Sequence, residues 1–200
     1  MFSVMISDYL RVVYFVVPKA ACTSLKTFVL ENDPSRHFTW ETRTSKAAPF
    51  QPYQTAITLR DLQQKYTHYL KFTFVRHPIT RFRSFVRDKL MHRKNVNVTR
   101  RVDMFVSSLG DVDRHPDDHL RSQYRLLPPL QYLDFIGHVE TIAQDFTQLK
   151  KQITKVDPGY ELKRLNATVK YTPIPLSPLA MKILHTKYKK DIDLFYNHHH

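Results

Sequence analysis

The sequence predicts an α/β fold in three layers, with a central, mainly parallel sheet and helices on both of its faces. Runs of β-branched and aromatic residues alternate along the chain with segments of helical spacing. The strand-like runs are hydrophobic throughout instead of alternating, as is typical of strands buried on both faces. Two of these runs end in sharp turns, at the edge where parallel sheets commonly bind ligands.

Three strands follow from the hydrophobic runs. Residues 11–17 form a buried run that Pro18 ends. Residues 69–75, "YLKFTFV", form the second clear strand, and "DFIGHVE" at residues 134–140 predicts a short third one. Residues 35–58 are polar, basic and interrupted by prolines, so they predict a loop with one short strand at "HFTW".

Helical segments separate the strands. The predicted helices cover residues 22–30, 59–69, 80–90, 100–110, 141–153 and 178–188. The third of these is long and places aromatic and aliphatic residues on one face and arginines on the others. Residues 111–118 predict a loop, and the prolines of residues 171–178 predict an extended segment.

Composition narrows the classes of function. Two hundred residues suit a single domain over residues 1–197, and the three closing histidines have the form of a purification-tag remnant. The net charge of +13 predicts an anionic partner, such as a nucleotide, a nucleic acid, a membrane surface or an acidic polymer.

The cysteine count and the N-terminal segment bear on location. A single cysteine excludes an internal disulfide and suits a reducing compartment. Asp8 and Arg11 interrupt the apolar N-terminal segment, which is far shorter than the about 20 residues that span a bilayer. We therefore expect neither a signal peptide nor a membrane segment.

The first sharp turn, "VPKAACTS", has the features of an oxyanion site. Lys19 supplies a mobile positive charge, and Thr23 and Ser24 place hydroxyl groups at the start of the next helix. Unpaired N–H groups and the helix dipole favour an anion at that end. The intervening residues are small and permit close approach of the backbone: Ala20, Ala21 and Cys22.

The residues of this turn exclude two other kinds of phosphate site. A Walker-type nucleotide site would need two glycines that are missing, and a cysteine phosphatase would need an arginine after Cys22 that is also missing. Judged from this turn alone, an ordinary helix start, with the lysine there by chance, remains an alternative interpretation.

The second sharp turn, "FVRHPITRFRSFVRDK", predicts a separate phosphate site. Arg76 follows the strand directly, and Ser84 lies eight residues later on the next helix. A guanidinium and a hydroxyl together grip a phosphate well, because the planar guanidinium binds two oxygens at once. The alternative, a basic solvated helix, describes Arg83 and Arg87 better than Arg76.

Together these two turns resemble those of the sulfotransferases that use 3′-phosphoadenosine 5′-phosphosulfate (PAPS), most closely the carbohydrate-sulfating branch called sulfotransferase family 2. A third segment, "DDHLRSQYRLLPPLQYLDFIGHVETIAQDF", is also similar to that family. The resemblance covers residues 14–197, with little agreement over residues 32–59. It implies a P-loop-like three-layer fold and transfer of a sulfuryl group from PAPS to a hydroxyl, with PAP as the product.

The resemblance assigns roles to individual residues. Lys19 and the backbone of residues 20–24 would bind the 5′-phosphosulfate, and Arg76 with Ser84 would hold the 3′-phosphate. Arg81 would orient the first turn. Two residues before the last helix would also contact the cofactor, namely Lys170 and Thr172.

Mechanistic expectations rest on the chemistry of in-line displacement. Lys19 would stabilise the leaving oxygen. His119 is the expected base, because the resembling third segment contains a histidine and histidine titrates near neutral pH. A surface or packing role for His119 stays open, as do three other candidate bases, His37, His68 and His115. No metal is expected, because no acidic or histidine cluster has ligand spacing.

The chain departs from the family pattern at informative places. His77 replaces the usual acidic residue after the arginine, Leu120 replaces a tryptophan, and Leu127 and Leu130 replace a pair of cysteines. The missing cysteines favour a cytoplasmic enzyme over a truncated Golgi-lumenal one. The expected acceptor is a glycan hydroxyl, with an anionic glycan as one option. The alternatives are sulfation of a non-carbohydrate alcohol and a basic nucleic-acid-binding module.

Overall fold

The computed structural model describes residues 1–36, 48–90, 98–163, 165 and 174–197. Within these residues five strands form one sheet: β1 (Phe2–Ser7), β2 (Val12–Phe15), β3 (Gln54–Ile57), β4 (Leu70–Val75) and β5 (Phe135–His138). The same residues form eight α-helices: α1 (Cys22–Glu31), α2 (Leu59–Gln64), α3 (Pro78–Leu90), α4 (Val98–Ser108), α5 (Gln123–Leu126), α6 (Ile142–Lys151), α7 (Pro178–Lys187) and α8 (Lys189–Phe195).

The sheet is mixed but runs mainly in one direction. Its strand order is β3-β1-β2-β4-β5, and β2, β4 and β5 pair in parallel. β1 pairs antiparallel with both β2 and β3, so β3 runs in the same direction as the three parallel strands. Four of the five strands in the described residues therefore share one direction, which confirms the predicted α/β class.

The sheet is covered on both faces. Tyr14 of β2 lies in a core cluster with Phe28 of α1. The next residue, Phe15, points to the opposite face and joins a cluster with Leu62 of α2 and Phe195 of α8. Because successive side chains of a strand alternate between faces, this arrangement confirms the predicted three layers. A further apolar cluster joins α3, α4 and α7.

Four elements were not predicted from the local pattern: β1, β3, the short helix α5 and α8. β1 carries serines at residues 3 and 7 that interrupt its apolar run, and it is defined by pairing with strands on both sides. β3 lies at the sheet edge with two exposed residues, inside the segment predicted as loop. α8 is anchored by a buried carboxylate that binds α5. The predicted strand at "HFTW" and residues 171–173 lie outside the described residues.

The remaining elements match their predicted positions within a few residues, although α2 ends at Gln64 instead of extending to residue 69. No helix in the described part of the chain has the length and apolar character needed to cross a membrane.

The parallel pairing of β2 with β4 determines where the two sharp turns meet. Phe15 of β2 lies opposite Thr73 of β4, so both strands end at the same edge of the sheet. The first turn leaves β2 for α1, and the second leaves β4 for α3. The two turns therefore lie side by side, where open α/β sheets bind ligands.

Candidate active site

The first turn adopts an unusual backbone without any glycine. Lys19 and Ala21 both have left-handed backbone conformations, with φ of 66° and 56°. Such a conformation costs a residue with a side chain about 1 kcal/mol relative to glycine. Ala20 between them is buried, and its N–H donates to the carbonyl of Val17 at 3.3 Å. Packing of the small alanines therefore holds the turn, and the missing glycines do not prevent it.

The start of α1 directly follows the first turn and has no side-chain cap. Ala21 is the N-cap residue, and no side chain accepts a hydrogen bond there. Cys22, a free thiol, and Thr23 are half-buried at this end. Ser24 is buried, and its Oγ accepts a hydrogen bond from the N–H of Leu165 at 3.1 Å. The Ser24 hydroxyl therefore also fastens the segment at residue 165.

Lys19 forms an ion pair that the sequence did not reveal. Its Nζ lies 2.6 Å from Oδ2 of Asp88 on α3, and both side chains are largely buried. Asp88 lies seven residues after Arg81 and four residues after Ser84, so the three side chains lie along one stripe of α3. That spacing is the signal that could have identified Asp88. The stripe also turns the half-buried Ser84 toward the first turn.

The second turn is clamped through its backbone. Gln123 of α5 accepts the N–H of Arg76 at 3.0 Å and donates to the Arg76 carbonyl at 2.8 Å. The backbone N–H groups of Gln123 and Tyr124 are held in turn by the buried carboxylate of Asp191 on α8. Burial raises the pKa of Asp191. No local pattern identified Gln123 or Asp191.

The Arg76 side chain joins the two turns. Its Nη1 donates to the main-chain carbonyl of Lys19 at 3.4 Å, and its Nε donates to Oγ1 of Thr80 at 3.2 Å. Burial lowers the pKa of Arg76, and the carboxylate of Glu140 opposes that effect. The guanidinium and the first turn therefore occupy one site.

Glu140, just after β5, organises the region around Arg76. One carboxylate oxygen accepts the backbone N–H of His77 at 2.9 Å and the hydroxyl of Thr80 at 3.1 Å, and the other accepts the hydroxyl of Tyr196 at 3.0 Å. Burial, reinforced by Glu140, raises the pKa of Tyr196. Burial also lowers the pKa of His77. Glu140 belongs to the third resembling segment, but its role there was not predicted.

Arg81 connects the first turn to the segment that carries His119. It is buried, and its guanidinium donates to three main-chain carbonyls: Pro18 at 2.9 Å, Asp118 at 2.7 Å and Arg121 at 2.7 Å. The first of these contacts agrees with the predicted role of Arg81 in orienting the turn.

His119 forms a pair with a carboxylate at this end of the molecule. Its Nδ1 lies 2.7 Å from Oδ1 of Asp117, and the ring is 37% exposed. Burial favours the protonated form of Asp117, but hydrogen bonds from His119 outweigh it and lower the pKa of Asp117. Because Asp117 contacts Nδ1 of His119, the ring nitrogen that would accept a proton in general-base catalysis is Nε2.

The other candidate bases are placed differently. His68 is exposed and precedes β4, so the length of that strand, about 20 Å, separates it from Arg76. His115 lies in the same loop as His119, and its Nδ1 accepts the N–H of Asp117. His37 lies outside the described residues, as do the two predicted cofactor contacts Lys170 and Thr172.

The described residues contain no group of three or more His, Cys, Asp or Glu side chains arranged to hold a metal ion. They do bring together the first turn, Lys19, Arg76 and the α3 stripe at one edge of the sheet. Chemically, this arrangement offers two positively charged grips for separate anionic groups, with a histidine–carboxylate pair in the adjoining segment.

Comparison with known proteins gives one positive result. The model of a family described as the sulfotransferase family matches residues 3–197, nearly the whole chain. No match is found among curated proteins or among solved structures. The matched range includes both turns, α3, and the segment from His119 to Glu140. The chain therefore belongs to the sulfotransferase family, in the branch called sulfotransferase family 2 that its motifs resemble.

Proposed function

We propose that this sulfotransferase takes the sulfuryl group from PAPS and transfers it to a hydroxyl of a carbohydrate or glycan-like acceptor. The observation that carries the proposal is the hydrogen bond from Arg76 to the carbonyl of Lys19. It brings the cationic group of the second turn against the backbone of the first. A single adenosine compound with phosphate groups at both its 3′ and 5′ positions would require such a pair of neighbouring grips.

The residues at this edge fit such a compound. At the first turn, the uncapped start of α1 and the Lys19 ammonium suit the 5′-phosphosulfate. At the second turn, the fork of Arg76 and the Ser84 hydroxyl suit the 3′-phosphate that distinguishes PAPS from simpler adenosine nucleotides. Lys170 and Thr172 remain proposed contacts from the segment before α7.

The proposed mechanism assigns a task to each group of the chain. PAPS supplies, when bound, a sulfuryl group on a good leaving oxygen. Lys19 stabilises negative charge at that oxygen, and the N–H groups at the start of α1 bind the adjacent anionic oxygens. His119 accepts the proton of the acceptor hydroxyl, with Asp117 orienting its ring. The hydrogen bonds from the Arg76 N–H to Gln123 and from Arg81 to the Pro18 carbonyl fix the relative positions of these groups.

The acceptor is proposed from charge and from the family branch. A net charge of +13 would favour a glycan that already carries anionic groups. The segments at residues 32–59 and 95–114 differ most from the family pattern or lie between its motifs, and we propose that they contact the acceptor. The missing cysteine pair supports a cytoplasmic location.

Titration calorimetry with PAP and with 5′-AMP tests the cofactor. Wild-type protein is expected to bind PAP at least about tenfold more tightly than 5′-AMP, because the 3′-phosphate gains charge-assisted hydrogen bonds. Arg76→Ala should remove most of this preference. Arg60→Ala, which removes an exposed arginine that donates to Gln64 within α2, should preserve this preference. Equal affinity of the wild-type protein for the two nucleotides would refute PAPS as the donor.

The acceptor is tested by incubation with PAPS carrying radiolabelled sulfate. Neutral and anionic oligosaccharides are compared with simple alcohols at equal hydroxyl concentration. Transfer to anionic oligosaccharides is expected. Transfer confined to simple alcohols would refute the carbohydrate assignment and leave sulfuryl transfer itself intact.

A further inference from the structure

Asp88 is the carboxylate in contact with the proposed catalytic lysine. The Lys19 ammonium lies 2.6 Å from its Oδ2, with the two side chains 17% and 28% exposed. An anion site would be expected to avoid a carboxylate, because a like charge nearby weakens anion binding. The placement of Asp88 therefore needs a function that offsets this cost.

The surroundings of Lys19 indicate what that function is. The guanidinium of Arg76 donates to the carbonyl of Lys19, and the guanidinium of Arg81 donates to the carbonyl of Pro18. Two cations thus contact the backbone on which the Lys19 side chain is mounted. A lysine side chain is long and flexible, and fixing it in one conformation costs rotamer entropy. A nearby carboxylate on a rigid helix offsets that cost and holds the ammonium in one place.

The geometry of α3 supports a dedicated role. Arg81 and Asp88 lie seven residues apart on the same stripe, so one helix face binds the backbone of Pro18 and the side chain of Lys19. The helix thus fixes the turn and its reactive side chain together.

We propose that Asp88 is a positioning residue, which holds the Lys19 ammonium at the place where it must meet the leaving oxygen. This inference rests on the proposed function. It has two consequences that can be separated by experiment. The negative charge of Asp88 lowers the affinity of the site for PAP, and the position of its carboxylate sets the rate of sulfuryl transfer.

Two substitutions separate charge from position. Asp88→Asn removes the charge and releases the ammonium, so PAP should bind about fourfold more tightly while kcat falls about tenfold. Asp88→Glu keeps the charge but extends the side chain by one methylene group. Its affinity for PAP should stay within about twofold of wild type while kcat falls severalfold.

Asp193→Asn is the matched control, because Asp193 also pairs with a lysine, Lys189, but lies on α8. It makes the same change in charge and should alter neither the affinity for PAP nor kcat. PAP affinity is measured by calorimetry, and kcat by transfer of radiolabelled sulfate to the acceptor found in the screen. A residue with a merely structural role would weaken binding when replaced, and would not strengthen it.

The outcomes separate this inference from the proposed function. If wild-type protein fails to bind PAP, the proposed function fails and this inference with it. If wild-type protein binds PAP but Asp88→Asn leaves the affinity unchanged or weaker, only the inference is overturned. A wild-type kcat in Asp88→Glu also overturns it, and this variant retains a carboxylate on α3 in case the asparagine variant does not fold.

Discussion

The buried guanidinium of Arg81 donates from Nε to the main-chain carbonyl of Pro18 at 2.9 Å, the residue directly before Lys19. The same group holds the carbonyls of Asp118 and Arg121, so one side chain connects the turn after β2 with the segment of His119. Burial lowers the pKa of Arg81, with its acidic neighbours opposing the effect. The Lys19 end and the His119 end of the site are therefore held by a common group.

Replacing Arg81 by lysine should destabilise the protein. An ammonium cannot reach three carbonyls in the arrangement of a planar guanidinium, so at least one of the three would lose its donor. We expect the free energy of unfolding in urea to fall by about 2–4 kcal/mol. Arg114→Lys is the control, because the Arg114 side chain is 88% exposed and lies 3.9 Å from Asp111, so its effect should stay within about 0.5 kcal/mol. Equal effects of the two variants would contradict this account.

Replacing Lys19 by alanine should impair turnover more than cofactor binding. The ammonium acts on charge that develops during transfer, so kcat should fall about 100-fold, or about 3 kcal/mol. PAP affinity should fall less, because Arg76 and the start of α1 still bind the phosphates. Lys163→Ala removes a lysine that pairs with Glu31 at the far end of α1, and it should leave both quantities unchanged. Undiminished turnover in Lys19→Ala would remove Lys19 from the mechanism.

Replacing Asp117 by asparagine should slow sulfuryl transfer without changing the affinity for PAP. The carboxylate contacts Nδ1 of His119, and its loss leaves the ring free to rotate and to change tautomer. We expect kcat to fall about tenfold, and His119→Ala to lower it by about 100-fold or more.

His68→Ala is the control for His119, because it removes an exposed histidine at the opposite end of β4. If His119→Ala retains wild-type turnover, another group is the base, and the neighbouring His115 becomes the first alternative.

The pH dependence of stability should contain a contribution from His77. Burial lowers the pKa of His77 below its ordinary value of 6.5, with Glu140 opposing and with His185 and Arg83 adding to the shift. As the pH falls through 6.5, the unfolded chain therefore takes up a proton more readily than the folded protein, and stability is lost. Above that pH both states are neutral at this residue and the contribution vanishes.

His77→Phe keeps an aromatic ring beside Tyr196 but removes the titrating group. The fall in Tm between about pH 7.5 and about pH 5.5 should be smaller in this variant than in wild type. His68→Phe should keep the wild-type difference. A His77→Phe variant with the full wild-type loss of Tm would contradict a lowered pKa of His77 in the folded protein.

Local sequence was sufficient to predict the strands and helices that carry strong hydrophobic patterns. β2, β4, α1 and α3 were predicted within a few residues, because each has a continuous apolar run or a clear helical period. β1 and β3 were missed because their apolar runs are interrupted or exposed, and their backbone hydrogen bonds come from strands elsewhere in the chain.

The residues of the candidate site also divide into those that local sequence predicts and those that only tertiary packing brings in. The sequence by itself determined that a lysine and two hydroxyls follow one strand and that an arginine follows another, since neighbouring residues on a strand–turn–helix unit stay neighbours in the fold. Only the tertiary structure decided which distant side chains hold them. Lys19 and Asp88 are 69 residues apart in the chain, and Arg76 and Gln123 are 47 apart. Such pairs are set by how helices pack on the sheet, and a local pattern contains no information about that packing.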